Sequence, residues 1–122
     1  MTAEQERAAV VPLLSRKARA DAVLAASAIQ KASEIFGVHP RDLTGYYRYA
    51  FVVAARFAVY AGLRDAGWTA PRVAVVMDRD HQTIRNGWFK ADLAAQHASD
   101  YAEKINQIAD AVRAATQAYT GE

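Results

Sequence analysis

The chain has 122 residues, a length that supports one domain with a single modest core, and 52% of them are apolar. It has no cysteine, which excludes a disulfide framework and cysteine-based zinc sites, and no apolar run near the ~20 residues of a membrane span. Charge is uneven: residues 39–90 carry a balance of +4, residues 1–38 one of +1 and residues 91–122 one of −3.

A basic centre with an acidic tail suits a protein that meets a polyanion with one face, although the same charges fit an ordinary solvated surface. Strong helix formers dominate and β-branched residues rarely alternate with polar ones, so the expected fold is all-α with five to six helices. The opening MTAEQERAA is acidic and polar, unlike a secretory signal, and the expected location is the cytoplasm.

Residues 2–10 read as a short frayed helix. Residues 12–36 read as one long helix, with Pro12 in its first turn and Gly37 as its stop. Ala18, Ala22, Ala25, Ile29, Ala32 and Phe36 alternate at spacings of four and three, the pattern of one buried face. Pro40 and Gly45 then break the pattern around a single turn at Arg41–Leu43. The second strong helix covers 47–66 and ends at Gly67. Val52, Arg56, Val59 and Leu63 share one line on it, and Phe51, Ala55, Ala58 and Gly62 another.

Thr69 can cap a short helix with Pro71 in its first turn and Val73, Val76 and Met77 buried. Asp78-Arg79 makes a tight turn, since Asp accepts unusual backbone angles better than most residues. Asp80 caps the next helix, to about residue 96, with Ile84, Trp88 and Ala91 facing inward. The last helix covers 99–119. Its stripe of Tyr101, Ile105, Ile108, Val112, Ala115 and Tyr119 needs a partner, either the long first helix or a second copy of the chain. The whole chain, 1–122, reads as one domain in which long terminal helices flank a central short helix, turn and longer helix.

Residues 69–90 have helix-turn-helix proportions, in which the second helix puts its N-terminal residues against base edges in the major groove. Those residues are Arg79, Asp80, His81, Gln82, Thr83 and Arg85. Arg can bridge guanine O6 and N7, Gln can bridge adenine N6 and N7, Asp accepts from cytosine N4, and the Thr methyl packs on that of thymine. The N-terminus of the helix itself attracts phosphate.

From about Ile29 to Ile105 the chain resembles the C-terminal DNA-binding domain of the bacterial replication initiator DnaA, a helix-turn-helix fold of the Trp-repressor type. The resemblance runs through Phe36-Gly37-Val38 leading to Asp42-Leu43, a long helix approached through Arg48 and bearing Arg56, and a short helix with Pro71. It then reaches the signature Arg79-Asp80-His81-Gln82-Thr83-Ile84, where the family reads Arg-Asp-His-Thr-Thr-Val. It implies that Asp80, His81 and Thr83 read bases and that Arg48 reaches the minor groove. It also implies that Arg56, Arg64, Pro71 with Arg72, and Lys90 lie near phosphates. The chain departs from the family at Gln82, Ala54 and Asp78. Its Tyr46-Tyr47-Arg48-Tyr49 stands where the family has an Arg/Ser-rich loop.

The expected partner is therefore double-stranded DNA, and the expected role a small transcription or replication regulator, of phage or mobile-element type among the options. The alternative is a protein-interaction module that keeps the fold without the DNA function. A homodimer through the N- or C-terminal helix is compatible with either. There is no Gly-rich phosphate loop with a following Lys-Ser/Thr pair, so no bound nucleotide and no other cofactor is expected. Asp78, Asp80 and His81 are adjacent on a turn and do not read as a metal site. No catalytic residue and no enzyme activity is expected. Tyr46, Tyr47 and Tyr49 read first as half-buried core or interface, with base stacking as the alternative. Trp68 and Trp88 read as core, and His39 and His97 as loop and surface residues.

Overall fold

The computed structural model describes residues 16–119. The expected helix at 2–10 and the first residues of the expected 12–36 helix lie outside that range. Six helices make up 84% of the described residues, with no strand among them. They are α1 (Arg16–Phe36), α2 (Pro40–Thr44), α3 (Ala50–Asp65), α4 (Ala70–Met77), α5 (His81–His97) and α6 (Ser99–Ala118). None of them is long and apolar enough to cross a membrane.

The ends follow local chemistry. Gly37 and Gly67, just past α1 and α3, have φ of 69° and 102°, the left-handed region that a Cβ disfavours. His39 caps α2, its Nδ1 accepting from the Arg41 N–H at 3.0 Å. Thr69 caps α4 by accepting from the Arg72 N–H at 3.4 Å. Helix α3 starts three residues later than its apolar pattern predicts, because Gly45–Tyr49 runs extended into a Tyr49 cap whose side chain makes no capping bond.

Helix α3 is the hub and packs against each of the other five helices. Val52, Ala55, Ala58, Val59, Tyr60, Leu63 and Gly62 are all buried on it, so both expected lines face inward, with Phe51 the exception. Gly62 is where α6 comes closest: a Cβ there would lie 2.8 Å from the Ile108 Cβ. The Tyr101 hydroxyl, on α6, donates to the Ala54 carbonyl at 2.6 Å, and burial pushes its pKa up to about 12.

The stripe on α6 finds its partners within the chain. Tyr101, Ile105, Ile108 and Val112 are buried against α1 and α3. At a transfer value of about 1.5–3 kcal/mol per fully buried large apolar side chain, this stripe is a main reason the two terminal helices close on the hub. Helix α5 lies across α3, α4 and α6. Ile84 and Ala91 are fully buried on it, and Trp88 donates its indole N–H to the Tyr60 carbonyl at 2.9 Å. Gly87 sits against the Tyr60 ring, where a Cβ would come within 2.7 Å of Cδ2. These contacts fix which face of α5 is left to solvent.

Candidate nucleic-acid interface

The segment joining α4 to α5 is built from two aspartates. Asp78 ends α4 in the left-handed conformation, with φ 52° and ψ 55°, which Asp tolerates because its carboxylate can bond locally. Asp80 then caps α5, its carboxylate accepting from the Thr83 N–H at 2.7 Å. That backbone bond, with a smaller one from Gln82, holds the Asp80 pKa below the ordinary carboxylate value. Three residues connect α4 to α5, and the first turn of α5 emerges beside the Gly45–Tyr49 loop.

Burial of Ile84, Gly87 and Ala91 turns His81, Gln82, Arg85, Asn86, Phe89 and Lys90 outward. Thr83 is half-buried. Arg85, Lys90 and Arg48 make no side-chain hydrogen bond or ion pair among the described residues, so their charges are available to an anion. Between the Gly45–Tyr49 loop, α3 and the start of α5 runs an open cleft of about 720 Å³. Arg48 and Tyr46 line one side of it, Gln82, Thr83 and Asn86 the other, and Phe57 with Tyr60 the floor. The Tyr60 hydroxyl is buried there with no hydrogen-bond partner among the described residues; burial raises its pKa, and the nearby Arg79 and Arg56 charges offset part of the rise.

Four of the expected contact arginines are engaged elsewhere. Arg56 is 7% exposed. Its guanidinium donates to the carbonyls of Leu43, Asp42 and Tyr47 at 3.0, 2.7 and 2.9 Å, and burial lowers its pKa. It stitches α2 and the following loop onto α3, so its assignment to phosphate is corrected to a structural one. Arg64 forks onto both carboxylate oxygens of Asp92 at 2.9 and 2.8 Å and also donates to Asp65. Burial opposes its charge, and the two carboxylates outweigh that and raise its pKa. Arg72 forks onto Asp21 of α1 at 3.1 and 2.9 Å, with its guanidinium carbon 3.8 Å from the Trp68 ring centroid.

Arg79, expected against a base, points back instead. It donates to the carbonyls of Met77 and Asp78 at 3.0 and 3.1 Å, to that of Thr44 at 3.3 Å and to that of Gly45, and lies over the Tyr46 ring. It clamps the loop to the turn. Pro71 is exposed in the first turn of α4, between the buried Ala70 and the Asp21-bound Arg72.

Asn86 was not anticipated. It lies four residues after Gln82 on the same line of α5, and that spacing is the signal that points to it. Tyr46, Tyr47 and Tyr49 are exposed rather than half-buried core, and so is Phe51, expected on a helical line with Ala55, Ala58 and Gly62. Among the described residues no group of three or more His, Asp and Glu side chains could hold a metal ion.

What the fold and the site define is an all-α protein with a polar, cation-bearing helix face beside an open cleft. Comparison of the chain with protein-family models, with curated proteins and with solved structures gives no match.

Proposed function

We propose that this protein binds double-stranded DNA in a sequence-dependent way, with α4, the Asp78–Asp80 turn and α5 acting as a helix-turn-helix. The observation that carries the reading is the first turn of α5. His81, Gln82, Arg85 and Asn86 stand exposed together, while the opposite face of the same helix is locked into the core. A helix presented in this way can enter a major groove with its N-terminal residues against base edges. The partial likeness to the initiator's DNA-binding domain supports the same use of the turn.

The reading assigns roles narrower than the sequence alone does. His81, Gln82 and Asn86 contact base edges, with the Thr83 methyl against an apolar base surface. Arg85 and Lys90 meet phosphates along α5, and Arg48 reaches the backbone or minor groove across the cleft. Asp80 acts first as the cap that holds this turn in place, and Arg79 as the clamp behind it. Such a chain would work as a small regulator of transcription or replication.

One observation favours a protein partner on another part of α5. Phe89 and Leu93, one turn apart, are 65% and 47% exposed. That patch lies beyond the first turn, so it is compatible with DNA binding at the helix start.

The test is a fluorescence anisotropy titration of a random-sequence duplex pool and of its best-bound members at two salt concentrations. Preference for particular duplexes, with affinity falling as salt rises, supports the proposal. Absence of duplex binding at low salt, together with a stable partner complex requiring Phe89 and Leu93, favours the interaction module.

A further inference from the structure

The Gly45–Phe51 segment presents a ladder of rings that duplex reading does not use. Tyr46, Tyr47, Tyr49 and Phe51 are 73%, 48%, 59% and 61% exposed. Tyr47 and Tyr49 meet edge to face at 4.7 Å, and Tyr49 and Phe51 lie nearly parallel at 14° with centroids 6.2 Å apart. Contiguous exposed apolar surface of this kind marks a contact site on a soluble domain.

The segment is held from beneath. Arg56 binds the Tyr47 carbonyl and Arg79 the Thr44 and Gly45 carbonyls, so the backbone is fixed while the rings face out. Little ordering remains for a ligand to impose.

Three features identify the occupant. The rings are interleaved in sequence with Arg48, which has no ion pair among the described residues. Aromatic rings with cations between them are how single-stranded nucleic acid is gripped, each base stacking on a ring while the cation tracks the backbone. Tyr46 and Arg48 line the same cleft as Gln82, Thr83 and Asn86, and Tyr47 and Tyr49 alternate with that pair along one extended loop, so a strand leaving α5 meets the loop that carries the ladder. Finally, the three mutually packed rings of Tyr47, Tyr49 and Phe51 are too broad for a minor groove ~6 Å wide. A base offers its face to a ring only when it is unstacked from its neighbours.

We infer that the Tyr47–Tyr49–Phe51 ladder binds unpaired DNA bases, so that the protein prefers duplex flanked by a single-stranded tract over duplex alone. For its placement relative to α5 this rests on the duplex-reading proposal; the stacking itself does not.

The experiment compares three probes: the best-bound duplex with blunt ends, the same duplex with a short single-stranded tail at either end, and the tail alone. The tail carries 2-aminopurine, whose fluorescence is quenched on stacking. The tail on one side should raise affinity about tenfold and be quenched. The double variant Tyr49→Ala/Phe51→Ala should abolish the gain and the quenching while binding blunt duplex normally, and Tyr49→Trp should retain both. Because both side chains are exposed, circular dichroism of the double variant should match the native fold.

Blunt duplex bound with no gain from a tail at either end would overturn the inference and leave duplex reading standing. Tail quenching that requires Tyr49, without duplex binding, would support the inference and remove duplex reading. A tail gain that survives the double variant would overturn it, and so would sedimentation showing that Tyr49 and Phe51 hold two copies together.

Discussion

The carboxylate of Asp80 accepts a hydrogen bond from the backbone N–H of Thr83 at 2.7 Å, so the cap of α5 bonds directly to a residue of the proposed reading turn. Because the bond favours the charged form, the Asp80 pKa lies below its ordinary value of 3.8. A carboxyl with a depressed folded pKa stabilises the fold above its unfolded pKa, and that stabilisation is lost as pH falls through the folded value. Thermal unfolding followed by circular dichroism should therefore show Asp80→Ala melting below the native protein at pH 7, with the gap closing as pH falls below about 4. Asp80→Asn should keep most of the cap at pH 7, since its side-chain oxygen still accepts. A gap unchanged between pH 7 and pH 3 would count against a charged cap.

Arg72 and Asp21 tie α4 to α1, and the Asp21 side chain is only 12% exposed against 32% for Arg72. Removing one partner strands a largely desolvated charge, whereas removing both does not. Arg72→Met should lower stability by on the order of 2 kcal/mol, and Asp21→Leu/Arg72→Met should recover a large part of that. Urea denaturation of the two singles and the double gives the coupling directly. Additive single effects would contradict the link.

Gly62 allows α3 and α6 to touch. Gly62→Ala gains helix propensity but drives a methyl into Ile108, which is fully buried and has no room to yield. The expected net effect is a destabilisation of about 1–3 kcal/mol. Ile108→Val in the same background should restore part of it. A Gly62→Ala protein as stable as the native one would show that the helices are spaced further apart.

Arg64 is held by Asp92 on a partly exposed face, with side chains 28% and 52% exposed. A pair of this kind contributes roughly 0–1 kcal/mol, so Asp92→Asn should leave the fold intact, remove one negative charge from α5 and leave Arg64 with Asp65 as its remaining carboxylate partner. Under the proposed function, duplex affinity should rise and the salt dependence steepen by about one counterion. Lys90→Ala and Arg85→Ala should do the opposite by a similar amount. Arg56→Ala, in contrast, should act on stability, since it removes three hydrogen bonds that hold the α2 loop.

Much of the fold was legible because it rests on local periodicity and punctuation. The four-and-three stripe on α6, the glycines after α1 and α3, and Asp78 and Asp80 around the turn emerge where spacing and backbone chemistry predict them. On α1 the expected stripe holds only in part: Ala25 and Ala32 are buried, Ala18 and Ala22 are exposed, and Asp21, Leu24 and Ala28 complete the buried face, which a spacing rule misses because the line is set by packing against α6 and α3. The fate of the arginines was less legible. Arg56 stands on one helical line with Val52, Val59 and Leu63, a sign of burial that the family resemblance outweighed. Arg64 meets an aspartate 28 residues away and Arg72 one 51 residues away, and no local spacing rule reports such pairs. The outward set of the tyrosine ladder was hidden for the same reason: its backbone is held by carbonyl contacts to Arg56 and Arg79, which reach it from other elements.

The central claim is that the exposed first turn of α5 reads base pairs, and in vitro selection of bound duplexes by the native protein and by His81→Ala and Gln82→Ala tests it most directly. The native chain should enrich one motif, and each variant should lose preference at one or two adjacent positions, worth about 1–3 kcal/mol per base pair, while still binding duplex with similar salt dependence. Selection of the identical motif by both variants, or no enrichment by the native protein, would contradict it.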